Sequence, residues 1–128
     1  MKEENKIILY QDDNEITRVS VRFADEDLWL TQNQLADIYQ TSKSNVSEHI
    51  KHIFEDGELD KTVVVRNFRI TTQHGAMEGK TQSRDVAHYN LDMIIALGYR
   101  VQSQVATRFR RWATQRLHEY IQKGFAMD

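Results

Sequence analysis

Thr31-Gln32-Asn33-Gln34-Leu35-Ala36-Asp37-Ile38-Tyr39-Gln40-Thr41-Ser42-Lys43-Ser44-Asn45-Val46-Ser47-Glu48-His49-Ile50-Lys51-His52-Ile53-Phe54 is the stretch on which the fold turns. Thr31 is a good N-cap, and Leu30 before it is placed to staple onto the first turn. Leu35, Ala36, Ile38 and Tyr39 supply the apolar face of one short helix. A second N-cap, Ser42, follows three residues after Tyr39, and Val46, Ile50, Ile53 and Phe54 then recur at helical spacing. Two short helices across a three-residue turn form a helix-turn-helix. Ala36 is small where the second helix must come close, and Val46 and Ile50 face inward. Gln40-Thr41 stands where Gly and an apolar residue are usual, so Gln40 must take the turn conformation at some strain.

The other face of the second helix presents Lys43, Ser44, Asn45, Ser47, Glu48 and Lys51. Small polar side chains at a helix N-terminus are what a recognition helix offers to base edges and phosphates. Lys43, Ser44, Asn45, Ser47 and Glu48 are therefore the candidate base contacts. Thr31, Gln32, Ser42 and Lys51 are candidate phosphate contacts beside them. Within 31–54 the charges cancel, Lys43 and Lys51 against Asp37 and Glu48, so most phosphate affinity must come from elsewhere.

Working outward, Ile7-Ile8-Leu9-Tyr10 is a short apolar run ended by the turn-forming Gln11-Asp12-Asp13-Asn14. Val19, Val21 and Phe23 alternate with Ser20 and Arg22 at the period of a half-buried strand. After a turn at 24–27, Leu28-Trp29-Leu30 leads into the first helix. The reading is an N-terminal β-hairpin over 7–30. Downstream, Glu55-Asp56-Gly57-Glu58 ends the second helix, with Gly57 as cap or turn glycine. Thr62-Val63-Val64-Val65 and Phe68-Arg69-Ile70-Thr71 read as strand, residues 73–84 as a hairpin tip and Asp85 to Tyr89 as the return strand. Such a hairpin, over 62–90, suggests a wing that lays Arg66, Arg69, Lys80 and Arg84 against the duplex backbone. Asn90 caps a core helix closed by Gly98. A long amphipathic helix follows over about 102–122, with Val105, Phe109, Trp112, Ala113, Leu117, Tyr120 and Ile121 on one face and Gly124 at its end. Arg108 and Arg111 share its opposite face with Gln115 and His118 and are further phosphate candidates, whereas Arg116 reads as structural. The fold class is α+β: one winged helix-turn-helix-like domain spanning 1–128, with helices over 91–124.

A chain of 128 residues at 40% hydrophobic content suffices for one core. Its net charge of −2 would argue against nucleic acid if charge were evenly spread. Residues 1–30 instead hold four basic and eight acidic side chains, while 99–124 hold six basic and one acidic. Residues 61–84 carry five basic side chains against Glu78. Local positive regions matter more for phosphate binding than the whole-chain sum. Cysteine is absent, which removes disulfides, thiolate zinc sites and cysteine nucleophiles. No apolar stretch is long enough for a membrane span and no signal-peptide pattern opens the chain, so a cytoplasmic protein is expected.

Several of these segments together resemble one known family. Leu28-Trp29-Leu30-Thr31-Gln32, Ser44-Asn45-Val46-Ser47-Glu48-His49-Ile50 and Ile53-Phe54-Glu55-Asp56-Gly57-Glu58-Leu59 are similar to the N-terminal region of RhuM-type virulence proteins. So are Arg66-Asn67-Phe68, Tyr89-Asn90-Leu91-Asp92, Gly98-Tyr99-Arg100-Val101 and Phe109-Arg110-Arg111-Trp112-Ala113-Thr114. The likeness runs from about Val19 to Gly124. The last segment also resembles, more faintly, phage and viral Bro-N-type DNA-binding domains. The resemblance implies a bacterial protein of mobile islands or prophages that binds DNA. Family members are usually longer, some with a Fic-type domain after this region, so the chain is expected to be the N-terminal part of a longer protein.

Other chemistry finds no support in the residues. His49 and His52 lie three apart without a third ligand, so no metal is expected. Gly75 and Gly79 lack the Lys-Ser/Thr of a phosphate loop. Paired carboxylates at Asp25 and Asp27, or Asp56 and Glu58, sit in turns. His74 and His88 face no nucleophile. Neither a catalytic residue nor a cofactor or small-molecule site is expected. The leading expectation is sequence-specific binding of double-stranded DNA, with a homodimer reading a two-fold site. The alternative is a protein-interaction or dimerisation module that uses the C-terminal helix.

Overall fold

The computed structural model describes residues 6–73 and 81–126. Three strands open the chain: β1 (Lys6–Gln11), β2 (Arg18–Ala24) and β3 (Asp27–Thr31). The N-terminal unit is thus a three-stranded meander, where the sequence suggested a hairpin. Leu28-Trp29-Leu30 pairs on both sides and forms a strand of its own. Asp25 and Glu26 join β2 to β3 with both φ angles positive, the two-residue turn whose twist suits a hairpin. The helix pair follows as α1 (Gln32–Tyr39) and α2 (Lys43–Glu55), then the short α3 (Lys61–Val64), β4 (Val65–Gln73), β5 (Thr81–Asn90), α4 (Leu91–Gly98) and α5 (Gln104–Ala126).

All five strands join one antiparallel sheet in the order β1-β2-β3-β5-β4. Side chains alternate across it. Val19, Val21, Phe23, Leu28 and Leu30 face the helices and are buried with Leu35, Ile38, Val46, Ile53, Met93, Ile94, Leu97, Phe109 and Ala113. The opposite face carries a smaller cluster, Ala24, Trp29 and Phe68. There Trp29 and Phe68 meet edge to face at 5.8 Å, and His88 packs on Phe68 at 4.9 Å.

Capping explains where the helices start. The Thr31 hydroxyl accepts from Gln34 N–H at 3.2 Å while the Gln34 side chain accepts from Thr31 N–H at 2.8 Å, a reciprocal capping box. Ser42 caps α2 and Asn90 caps α4. Between α1 and α2, Gln40 sits in the left-handed region at φ 53°, the strained turn its sequence position required. Gly57, at φ 74°, follows the C-cap of α2.

Three sequence expectations are corrected. Residues 61–64 form a helical turn and not a strand, because Asp60 accepts from Thr62 N–H and Oγ1 and winds the chain so that Val64 is buried. The return strand begins at Thr81, earlier than Asp85, since β4 and β5 pair continuously from Val65↔Tyr89 to Gln73↔Thr81. α4 does end at Gly98, and a Cβ there would lie 2.7 Å from Arg110 Nη1, so its missing side chain also makes room for a guanidinium. Gly124 does not end α5, which continues through Ala126.

Long-range polar contacts lock these layers together. The Tyr39 hydroxyl donates to the Ile94 carbonyl, tying α1 to α4, and burial pushes it up to about 12. Ser103 Oγ donates to the Ile38 carbonyl at 3.0 Å and accepts from Ala106 N–H at the start of α5. Asp12, only 2% exposed, receives Arg108 of α5 through Nε at 3.0 Å and Nη2 at 2.8 Å, and the Tyr10 hydroxyl at 2.5 Å. A bidentate guanidinium holds a carboxylate strongly in its charged form. The Arg108 hydrogen bonds therefore keep the Asp12 carboxyl far below the usual carboxylate range, against the opposing effect of burial.

Two outcomes follow for stability. A depressed native pKa means that Asp12 stabilises the fold above its unfolded value of about 3.9, and that this contribution is lost as pH falls below that value. Urea titrations should show it: Asp12→Asn lowers the midpoint at pH 7 and loses less further stability than the parent chain between about pH 4 and pH 2. Gln40→Gly relieves the left-handed strain at an exposed position and should raise stability by about 0.5–1 kcal/mol in the same assay.

Candidate nucleic-acid interface

On α2 the two faces part as the spacing required. Val46 (0% exposed), Ile50 (6%) and Ile53 (0%) are packed against α1 and the core. Lys43, Ser44, Ser47, Glu48 and Lys51 are exposed on the other side. Glu48 lies 3.7 Å from His52 one turn on, an exposed pair of little energetic weight. Asn45 is half-buried, and its Nδ2 donates to Thr41 Oγ1 at 2.9 Å. That bond holds the interhelical turn, so Asn45 has a structural task besides any contact with a ligand. Gln32 and Thr31 are half-buried as well. Gln32 Nε2 reaches the Lys43 carbonyl at 3.3 Å and joins the two helix N-termini, while the Thr31 and Ser42 hydroxyls are engaged as caps.

The candidate phosphate contacts separate into two groups. Arg66 forms an ion pair with Asp25 and lies over the rings of Phe68 (4.8 Å) and Trp29 (5.9 Å) on the open face of the sheet. Arg108 is committed to Asp12, so its guanidinium turns inward and not to the solvent-facing side of α5. Arg84 and Arg111 are exposed, and Arg69 lies 3.6 Å from Asp85 with both side chains more than half exposed. Lys80 and His74 lie outside the described residues. Arg116 rests over the Trp112 ring at 5.9 Å and pairs with Glu119, with both charged side chains about half exposed.

Part of the charge segregation along the sequence is therefore cancelled in space. The acidic N-terminal segment supplies Asp12 to Arg108 and Asp25 to Arg66, and Asp56 and Glu58 both bind Arg100. Sequence reasoning treated Asp12 and Asp25 as turn residues and missed these pairings. No local signal marks a contact between positions 96 apart; only the excess of acid at one end and base at the other hinted at it. His88, another residue left without a role, is buried against Phe68, and burial followed by the nearby Arg22 charge lowers its basicity.

Among the described residues no group of three or more His, Asp or Glu stands where it could hold a metal ion. His49 is half-buried, away from the exposed side of α2. Among the described residues no helix is long and apolar enough to cross a membrane.

Several segments that carried the family resemblance meet in the fold. Trp29 packs on Phe68, Asp56 and Glu58 bind Arg100, and Asn90 donates to Asp27 at 3.1 Å while capping α4. The pattern of the Virulence protein RhuM family matches residues 63–128, which comprise β4, β5, α4 and α5 and leave the helix pair outside. No curated protein and no solved structure matches the chain. With just over half of its length matched, this chain belongs to the Virulence protein RhuM family.

Proposed function

We propose that residues 27–90 act as a winged helix-turn-helix that reads double-stranded DNA, with α2 in the major groove and the β4–β5 hairpin as the wing. One observation carries the reading. α1 and α2 are each N-capped, joined by a tight turn and packed through Val46 and Ile50, while a row of exposed small polar and basic side chains begins at the α2 N-terminus. The connectivity supports it: β3 precedes the helix pair, the hairpin follows, and β5 returns beside β3. In this reading the hairpin would serve as the wing beside the helix pair, since β5 contacts α1.

The base contacts fall to Lys43, Ser44, Ser47 and Glu48, with Asn45 offering its carbonyl oxygen while its amide nitrogen holds the turn. Phosphate contacts fall to Lys51, Arg69, Arg84 and Arg111, whose side chains are exposed. Arg66 and Arg108 instead brace the sheet and α5. The alternative, association through the C-terminal helix, has less apolar surface to use, because Phe109 and Trp112 are packed on Tyr10 and Tyr120 on Phe23, which leaves Ile121 exposed.

Selection of bound duplexes from a random pool, at low and at moderate salt, tests this reading. Enrichment of a defined sequence is expected, with an affinity that falls steeply with salt. Lys51→Ala should weaken binding to all duplexes alike and reduce the salt slope by about 1. Ser47→Ala should change the preferred bases with little effect on that slope. A pool that stays random even at low salt would falsify the proposal.

A further inference from the structure

The two edges of the sheet differ in chemistry. β4, at one edge, carries Arg66, Asn67, Arg69 and Thr71, the charged and polar residues that discourage an edge strand from pairing. β1, at the other edge, reads Lys6-Ile7-Ile8-Leu9-Tyr10-Gln11 and, among the described residues, pairs with β2 alone. Ile8 and Tyr10 face the helices. Ile7 and Leu9 project from the open face, 53% and 57% exposed.

The backbone of this strand is equally available. Asp12 N–H bonds the Thr17 carbonyl at 2.9 Å, continuing the register in which Tyr10 faces Val19 and Ile8 faces Val21. Antiparallel ladders alternate, so the even-numbered residues are hydrogen-bonded to β2 and the N–H and C=O of Ile7 and Leu9 point outward. An exposed aliphatic edge with outward-directed amides invites another strand.

We propose that this strand is β1 of a second copy of the chain, paired antiparallel across a two-fold axis through Ile8. Self-complementarity selects the occupant. A continuous sheet requires that opposed residues share a face, which confines the two-fold axis to a residue and not to a peptide link. Centred on Ile8, each Ile7 stands opposite Leu9 of the second copy, and both belong to the outward-bonding set. Four aliphatic side chains then cluster on the open face, and the strand's one charge, Lys6, falls opposite Tyr10 of the second copy instead of its own equivalent. Centring on Leu9 would oppose Ile7 to Gln11 and lose this match. The joined sheet has ten strands, with both helix layers on the same side, so two copies of α2 share one face of the dimer. A six-residue strand pair is smaller than a standard interface of about 1,200–2,000 Å², so the association is weak and reversible, on the order of micromolar.

Sedimentation equilibrium on the chain alone, from roughly 1 to 500 μM and without DNA, tests the dimer separately from any duplex reading. The mass should rise toward twice the monomer value. Leu9→Lys should hold it at the monomer value with an unchanged circular dichroism spectrum and melting temperature, because Leu9 is exposed in the single chain. Register is read by thiol cross-linking, since the native chain has no cysteine. Ile8→Cys places two thiols at a closely spaced non-bonded pair and should oxidise to a linked dimer, whereas Ile7→Cys and Arg111→Cys should not. A chain that stays monomeric throughout, or an association indifferent to Leu9→Lys, overturns the proposal. Cross-linking through Ile7→Cys in place of Ile8→Cys overturns the register.

Discussion

The short ladder between β3 and β5 is the constraint from which the rest of the arrangement follows. Trp29, Leu30 and Thr31 pair with Asn90, Tyr89 and His88, joining segments about sixty residues apart. Both strands give way at once to a helix, Thr31 capping α1 and Asn90 capping α4. The two helices therefore start from the ladder, where the Tyr39 hydroxyl can reach the Ile94 carbonyl. The α1–α2 pair and the β4–β5 hairpin are excursions from that ladder, which is why a hairpin distant in sequence stands beside the helix pair. Alternation across the same ladder sends Leu30 into the main core and Trp29 into the cluster with Phe68.

Electrostatics completes the closure. A carboxylate as enclosed as that of Asp12 is costly unless it is paired and hydrogen-bonded. Arg108 and Tyr10 meet that need together, and in doing so they seat α5 across the first hairpin. Arg66 and Arg100 bind acidic residues of distant turns in the same manner, though nearer to solvent. Part of the positive charge that looked available for phosphate, that of Arg66 and Arg108, is consequently spent inside the domain. If the domain holds a duplex, it does so with fewer cations than the sequence count suggests, and relies more on the polar N-terminus of α2.

The family match and the structure bear on different halves of the chain. Residues 63–128 carry the match, while the helix pair at 31–54 carries the functional proposal. The physical link between them is the ladder and the Tyr39–Ile94 and Ser103–Ile38 bonds, which make the helix pair part of the same packed unit as α4 and α5. A reading head attached to that unit by a flexible linker would have no defined position against the hairpin.

Local chemistry was legible from sequence because its causes are local. Thr31, Ser42 and Asn90 marked helix starts through caps that act within three residues, and the spacing of Leu35, Ile38, Val46 and Ile50 marked buried faces. Gln40 could be identified as a strained turn residue for the same reason. The Thr62–Val65 run misled, because β-branched side chains favour strand while the Asp60 cap and the burial of Val64 chose a helical turn. Gly98 did end its helix, while Gly124 misled because glycine marks a helix end only by tendency and α5 continues past it. The sheet order and the exposure of Ile7 and Leu9 at an open edge had no signature in the chain, and the pairing of Arg108 with Asp12 and of Arg66 with Asp25 had none beyond the uneven spread of charge. They depend on which distant segments meet, and that was decided by tertiary packing, where burial of one shared core outweighs the preference of any single residue.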